Sequence, residues 1–260
     1  MTRGEPPNDL RLSGMILAAG EGTRLRPLTA DRPKPMLPVD GRPVLEFIVS
    51  WLRQQGVAPI AINLHHHPEV VTSYFGDGSQ FGVELHYSVE KELLGTAGGA
   101  RKMTEMISGP YVIVYGDVLT DVPLQGLWKL HASHAGSGRL TVALFRARNP
   151  AAAGVVELGP GDRVVRFVEK PHPGTITGDL AHAGIMIADP AILDRVSPGT
   201  FCDFGHDLIP LLIDEGYPVY GWRIPPRCVH VDMGTPDGYT RAKADSRRLR
   251  IELAAGVTEP

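Results

Sequence analysis

Apolar and polar positions divide the chain into two regimes. Through the first half, apolar runs alternate with segments whose apolar residues recur at helical spacing. "MILAA" (15–19) and "YVIVY" (111–115) are continuous apolar runs, the pattern of strands buried on both faces of a parallel sheet. "APIAINL" (58–64) and "VELHYSV" (83–89) read as two further strands. Between them, Leu45, Ile48, Val49 and Leu52 follow the i, i+3, i+4, i+7 rule, and Gly56 stands where a helix should stop. That predicts an amphipathic helix over 43–55. "PEVVTSYF" (68–75) reads as a short helix and "TAGGARKMTEMI" (96–107) as a helix weakened by its glycines. Alternation of this kind predicts a parallel sheet with helices on both faces.

The second half changes character. "RLTVALFRA" (139–147), "GVVEL" (154–158), "RVVRFVEK" (163–170) and "AHAGIMIA" (181–188) read as strands joined by short connections, with "GPGD" (159–162) as a hairpin loop. A helix is expected over 204–216, strands over 218–224 and 227–232, and a closing helix over 235–256. The polar stretch 1–12, carrying Pro6 and Pro7, reads as a loose tail, and 13–260 as one domain with a smaller, more antiparallel lobe.

Composition narrows the function classes. The chain has 260 residues, 43% hydrophobic and 21% charged, with a formal net charge of -3. This is globular composition without the basic field that a nucleic-acid or anionic-membrane partner would draw on. No apolar run approaches the roughly 20 residues that span a bilayer, and the N-terminus shows no secretory h-region. Cys202 and Cys228 lack any paired spacing and read as free thiols of a reducing, cytoplasmic compartment. The expected partners are small molecules, with homo-oligomerisation open.

Candidate chemistry starts where "MILAA" runs into "GEGTR". Gly20 and Gly22 can adopt positive φ and let backbone N–H groups approach an anion, although such a turn taken alone reads as an ordinary turn. Neither the P-loop nor the dinucleotide fingerprint is present. Ten residues on, Pro33, Pro35 and Pro38 stiffen an extended path and present Lys34 with little backbone freedom. Lys34, Arg24 and the loop amides then converge on one polyanion.

"LAAGEGTRLRPLT" (17–29) followed by "PKPMLPV" (33–39) resembles the signature of the sugar-1-phosphate nucleotidyltransferases. The resemblance continues through "LLGTAGGA" (93–100), "YGD" (115–117), "GVVEL", "FVEKP" (167–171), "AGIMI" (183–187) and "VDMGTP" (231–236), and so covers about 13–245. It implies an α/β, Rossmann-like fold with a mixed, mainly parallel sheet and a smaller antiparallel sugar-binding lobe. It implies transfer of a nucleoside monophosphate from a nucleoside triphosphate to a sugar 1-phosphate. By the same resemblance Leu17, Ala18, Ala19, Gly20, Gly22, Thr23, Glu90, Gly95 and Thr96 bind nucleotide, with Arg24 and Lys34 on the reacting phosphates. Gly154, Glu169, Lys170, His182 and Gly184 bind the sugar phosphate, and Asp117 and Asp232 share Mg2+.

The substrate pair stays open between readings. "ELLGTAGGA" is more like the guanylyl- and cytidylyl-transferring branches, and Glu90 or Glu92 could accept from guanine N1–H and N2–H2. GTP with mannose 1-phosphate or a manno-heptose 1-phosphate is the first reading; glucose 1-phosphate with CTP, UTP or dTTP is the alternative. A regulatory subunit that kept the fold without turnover would be expected to have lost Arg24, Lys34, Asp117 or Asp232, all of which are present. His182 stands where many members have Asn, and Tyr115 where Asn or Leu is commoner, which bears on sugar identity. His65, His66 and His67 are consecutive, point different ways and lack ligand spacing. No hexapeptide repeat follows the domain.

Overall fold

The computed structural model of the chain describes residues 12–172, 178–249 and 251. Strand β1 (Ser13–Leu17) leads into two tight turns, Thr23–Leu25 and Lys34–Met36, and a small ladder of β2 (Pro38–Val39) and β3 (Arg42–Pro43). Then follow α1 (Val44–Gln54), β4 (Ile60–Leu64), α2 (Pro68–Phe75), β5 (Leu85–Val89), α3 (Gly95–Met103), β6 (Tyr111–Tyr115) and β7 (Val118–Thr120). The remainder is α4 (Leu124–Ser133), β8 (Leu140–Arg146), β9 (Gly154–Leu158), β10 (Val164–Glu169), β11 (Leu180–Ala188), α5 (Pro190–Leu193), α6 (Ile209–Asp214), β12 (Val219–Arg223), β13 (His230–Asp232) and α7 (Pro236–Asp245).

One nine-stranded sheet carries both halves of the chain. β5, β4, β1 and β6 run parallel in that order. β11 is antiparallel to β6 and to β8, and β12 runs parallel to β8. The expected β9–β10 hairpin forms and joins β11 through Ala181 opposite Val155. β5, β4, β1 and β6 are the parallel part that the alternation predicted, and the whole is the mixed sheet that the resemblance implied. Its strands are buried on both faces: Ile16, Ile62, Val112 and Val114 enter one core layer, Met15, Ala61 and Ile113 the other. Period-two alternation with both sets buried is what a sandwiched parallel sheet requires. On α1 the four residues of the predicted stripe are buried, as are Phe47 and Trp51, whose indole N–H donates to the Val122 carbonyl at 2.9 Å. Each such apolar side chain contributes about 1.5–3 kcal/mol of transfer free energy.

Several segments differ from expectation. β7 and α4 were not expected, although Leu124, Leu127 and Trp128 keep helical spacing; within α4 stands Gly126. A Cβ there would lie 2.9 Å from Trp222 Cε2, so the glycine is what lets the Trp222 ring pack on the helix. The closing helix ends at Asp245 and a further turn ends at Arg248. Ser246 is drawn to the β2–β3 turn, where its hydroxyl donates to Asp40 Oδ2 at 2.6 Å. The expected helical residues 250 and 252–256 lie outside the described residues, as do 1–11 of the expected tail, whereas Leu12 is buried in the core. The helix expected over 204–216 forms from Phe204 to Asp214, opening with a wide turn, Phe204–Leu208, that runs directly into α6. Among the described residues no helix is long and apolar enough to cross a membrane.

Candidate active site

β1 has the parallel neighbours β4 and β6, and open α/β sheets place ligands beyond the carboxyl ends of such strands. A cleft lies there in two adjoining hollows. One of about 310 Å3 is lined by Leu17, Ala18, Ala19 and Gly20 together with Asn63, Glu90 and Gly95. The other, about 320 Å3, is lined by Gly154, Glu169, Lys170, His182 and Gly184. Arg24, Thr96, Tyr115, Asp117 and Asp203 line both. Of the residues that the resemblance assigned to the site, all but Gly22 and Thr23 line one hollow or both.

The turn after β1 behaves differently from its first reading. Gly20 does not take positive φ; a Cβ there would meet open space, and its backbone borders the first hollow. Gly22 does take positive φ, at 65°, and closes the loop on the protein itself: its carbonyl accepts from the Thr29 hydroxyl at 2.9 Å. A Cβ at Gly22 would stand 3.0 Å from Lys34 Cβ. Neither Gly22 nor Thr23 lines the cleft; they set the short turn that carries Arg24 into it. Pro33 is extended at ψ 149° as expected, but the path does not stay extended: Lys34–Met36 closes a tight turn with Pro35 inside it, and that turn presents Lys34.

Lys34 and Asp117 form a close, largely buried ion pair. Asp232 reaches the same place from β13, whose ladder with β7 sets it opposite Val118. Gly234 shows how tight the convergence is. A Cβ built there would lie 2.9 Å from Asp232 Oδ1, 3.1 Å from Arg24 Nη2 and 3.3 Å from Asp117 Oδ2. The Gly234 N–H donates to Asp232 Oδ1 at 2.6 Å. Burial pushes the Asp117 carboxyl up, but the Lys34 ammonium, aided by Arg24, outweighs it and holds the carboxyl below its ordinary value. Asp232 goes the other way: burial first, then the Asp117 charge, raise it. Two carboxylates crowded until one resists ionisation are a donor set that an added cation relieves, and hard oxygen donors suit a divalent one. Among the described residues no group of three or more His, Cys, Asp or Glu stands at metal-holding spacing, so the pair would leave most of a metal shell to other donors.

The glycines of "LLGTAGGA" make room for protein atoms. At Gly95, with φ 73°, a Cβ would fall 2.6 Å from the Cys202 carbonyl oxygen. At Gly98 it would fall 2.5 Å from that of Thr200, and at Gly99 2.7 Å from Glu90 Oε1. The N-terminus of α3 is thus pressed against 200–203. Thr96 donates through its N–H (3.1 Å) and its hydroxyl (2.9 Å) to Asp203 Oδ1, and its hydroxyl accepts from Phe204 N–H at 2.8 Å. Glu90 is buried, with Oε1 accepting from Asn63 Nδ2 at 2.7 Å and Oε2 from Leu94 N–H at 3.0 Å. Asn63 Oδ1 in turn accepts from Ala18 N–H at 2.7 Å. Each carboxylate oxygen of Glu90 thus serves the scaffold first, leaving its second lone pair for anything else. Glu92 does not line the cleft.

In the second hollow the Glu169 carboxylate sits between two glycines. A Cβ at Gly154 or Gly205 would stand 2.6 or 2.8 Å from its Oε2. Lys170, at φ 46°, keeps its Nζ 3.9 Å from Glu169 Oε1 and is mostly exposed. Gly184, at φ 66°, falls in the break of β11 register between His182 and Met186. His182 and His230 both line this hollow, and His182 Nε2 and His230 Nδ1 are buried without a partner among the described residues. Burial holds each imidazole neutral, with its pKa down at about 4. Asn63, Asp203, Gly205, His230 and Gly234 were not anticipated from sequence. "FCDFGHD" was read only as a helix start, and no periodicity marks a residue whose role is to hold another. The triple histidine divides as its spacing suggested: His65 faces the Glu90 carbonyl, His66 that of Thr29, and His67 the Glu69 carboxylate.

Comparison with known proteins identifies the family and the fold. The nucleotidyl transferase family profile matches residues 13–248. A UTP–glucose-1-phosphate uridylyltransferase of Synechocystis sp. is 36% identical over 89% of this chain and 62% of its own length. A mannose-1-phosphate guanylyltransferase of Mycobacterium tuberculosis is 34% identical over 90% of this chain and 64% of its own. The chain thus spans under two thirds of the length of these relatives. In fold it resembles a Bacillus anthracis crystal structure, named as a candidate glucose-1-phosphate thymidylyltransferase, with a TM-score of 0.82 at 23% identity, covering 94% of this chain and 98% of that one. The chain belongs to the nucleotidyl transferase family.

Proposed function

We propose that the protein transfers a nucleoside monophosphate from a nucleoside triphosphate to a sugar 1-phosphate and releases pyrophosphate. The observation that carries this reading is the shared boundary of the two hollows, where Arg24 and Asp117 face both, with Lys34 on one side and Asp232 on the other. The nucleotide lies along 17–20 with its phosphates toward Arg24 and Lys34. The sugar lies in the second hollow against Glu169, with its phosphate near Lys170. A phosphate oxygen of the sugar 1-phosphate attacks the α-phosphorus in line, and the bond from that phosphorus to the pyrophosphate oxygen breaks. Such a transfer asks the protein for alignment and for fixed positive charge rather than covalent chemistry. Arg24 and Lys34 supply the charge; the neutral His182 and His230 offer ring nitrogens to sugar hydroxyls. Asp117 and Asp232 would hold Mg2+, which when bound supplies further charge neutralisation of the phosphates. The setting is cytoplasmic and the partners are these small molecules.

GTP with mannose 1-phosphate or a manno-configured heptose 1-phosphate is the pair proposed first, supported by the likeness to the Mycobacterium tuberculosis guanylyltransferase. UTP with glucose 1-phosphate is the second reading, favoured by the likeness to the Synechocystis sp. protein. Both are tested by pyrophosphate release across a matrix of nucleoside triphosphates and sugar 1-phosphates. Highest release with GTP and a manno-configured sugar is expected. Preference for UTP and glucose 1-phosphate would replace the pair and keep the chemistry. In the preferred pair, Lys34→Ala should lower turnover about 100-fold or more. No release with any pair would overturn the reading.

A further inference from the structure

The two hollows differ at their rims. No exposed large hydrophobic side chain lines the second among the described residues; the first is lined by two that stand in solvent, Phe201 at 60% exposure and Leu93 at 37%. An exposed phenylalanine on a loop costs a soluble protein solubility, and loops are where binding residues gather. This loop is also held unusually firmly. Cys202 N–H donates to the Leu94 carbonyl at 2.9 Å, and the Cys202 carbonyl accepts from Ala97 N–H (2.8 Å) and Gly98 N–H (3.0 Å). The absent side chains of Gly95 and Gly98 are what admit it so close to α3. Leu93 is the residue before Leu94, whose carbonyl takes part in this network. The fold therefore spends three backbone hydrogen bonds and two glycines on holding a solvent-exposed aromatic ring at the mouth of a cavity whose boundary with the second hollow carries Arg24 and, through its pair with Asp117, Lys34.

We propose that Phe201, with Leu93, forms the apolar contact for the base of the bound nucleoside triphosphate. The cations at that boundary hold the phosphate end of the ligand there, so the planar base is left at the other end, where the two apolar side chains stand. Every base has a π-face, so a stacked phenylalanine adds affinity without choosing among bases. Choice then falls to polar groups deeper in the hollow. This inference rests on the nucleotide occupying the first hollow, and its test is built to fail separately from that reading.

The experiment is a calorimetric titration of the whole protein with its preferred nucleoside triphosphate in Mg2+, beside steady-state kinetics for both substrates. Phe201→Ala should weaken nucleotide binding and raise KM for the triphosphate by about 5- to 100-fold, the range for losing one base-stacking ring. KM for the sugar 1-phosphate should stay within about twofold, and the order of preference among triphosphates should not change. Phe201→Trp should restore most of the affinity, which a merely structural role would not predict. Unchanged triphosphate affinity in a well-folded Phe201→Ala protein would overturn the inference while leaving nucleotidyl transfer intact. So would an equal loss for both substrates. Wild-type protein that binds no nucleoside triphosphate would overturn both.

Discussion

Gly99→Ala tests the idea that the α3 glycines make room for the protein's own polar side chains. In an ordinary helix interior the change would stabilise by about 1 kcal/mol, since Ala is the better helix former. Here the new methyl would stand 2.7 Å from Glu90 Oε1 and nearer still to Asn63 Nδ2. Neither group can swing away cheaply. Glu90 is 3% exposed and Asn63 2%, and they bond each other, Leu94 N–H and Ala18 N–H. Overpacking costs about 1–3 kcal/mol, and disrupting a buried bond to a carboxylate a further 1–3 kcal/mol or so. Against the helical gain, the net loss is roughly 1–5 kcal/mol. Urea denaturation followed by circular dichroism reads this directly. Because Asn63 positions Ala18, KM for the nucleoside triphosphate should rise in the same variant. A Gly99→Ala protein as stable as wild type, or stabilised by the helical increment, would refute the packing argument.

Other consequences concern charge. Asp232→Asn should raise the melting temperature of the metal-free protein while cutting turnover, because the folded state holds this carboxyl above its ordinary value and its ionised form is under strain at neutral pH. Asn keeps an acceptor for Gly234 N–H, so a lower melting temperature would count against the crowding of Asp117 and Asp232. His182 and His230, with burial lowering each from 6.5 to about 4, bind protons more readily when unfolded. Stability should be full above pH 6.5 and fall as pH drops toward 4, by up to about 3 kcal/mol per histidine. Thermal melts across that window should flatten in His182→Asn; an unchanged slope would remove this histidine from the account.

What the sequence made legible was whatever repeats or punctuates. The buried strands, α1, the β9–β10 hairpin and the stiff presentation of Lys34 each followed from a run, a period or a proline. Arg24, Asp117, Glu169 and His182 were found through an ordered set of landmarks, and all four line the cleft. What stayed hidden was contact between distant segments. Asp203 meets Thr96 across 107 positions, and Asn63 meets Glu90 across 27, with nothing local to either that announces the meeting. Gly126 within α4 is a further case, since its cause is Trp222 on another strand.

The glycines also change how the two hollows relate. Read locally, glycine-rich stretches suggest backbone laid against phosphate. Most of the glycines around this cleft instead vacate space for a particular group: Gly95 and Gly98 for the 200–202 backbone, Gly154 and Gly205 for the Glu169 carboxylate, Gly234 for the pair of aspartates. The segment 200–205 enters nearly all of these packings. Through Cys202 it is bound to the start of α3 beside the first hollow, and Asp203 lines both hollows. Through Gly205 it lies against Glu169 in the second. A displacement of this segment therefore changes both walls together, since neither contact has slack to absorb it. The same close packing that fixes Asp203 at the shared boundary makes the two proposed substrate positions one mechanical unit, which is the alignment that the proposed in-line transfer would require.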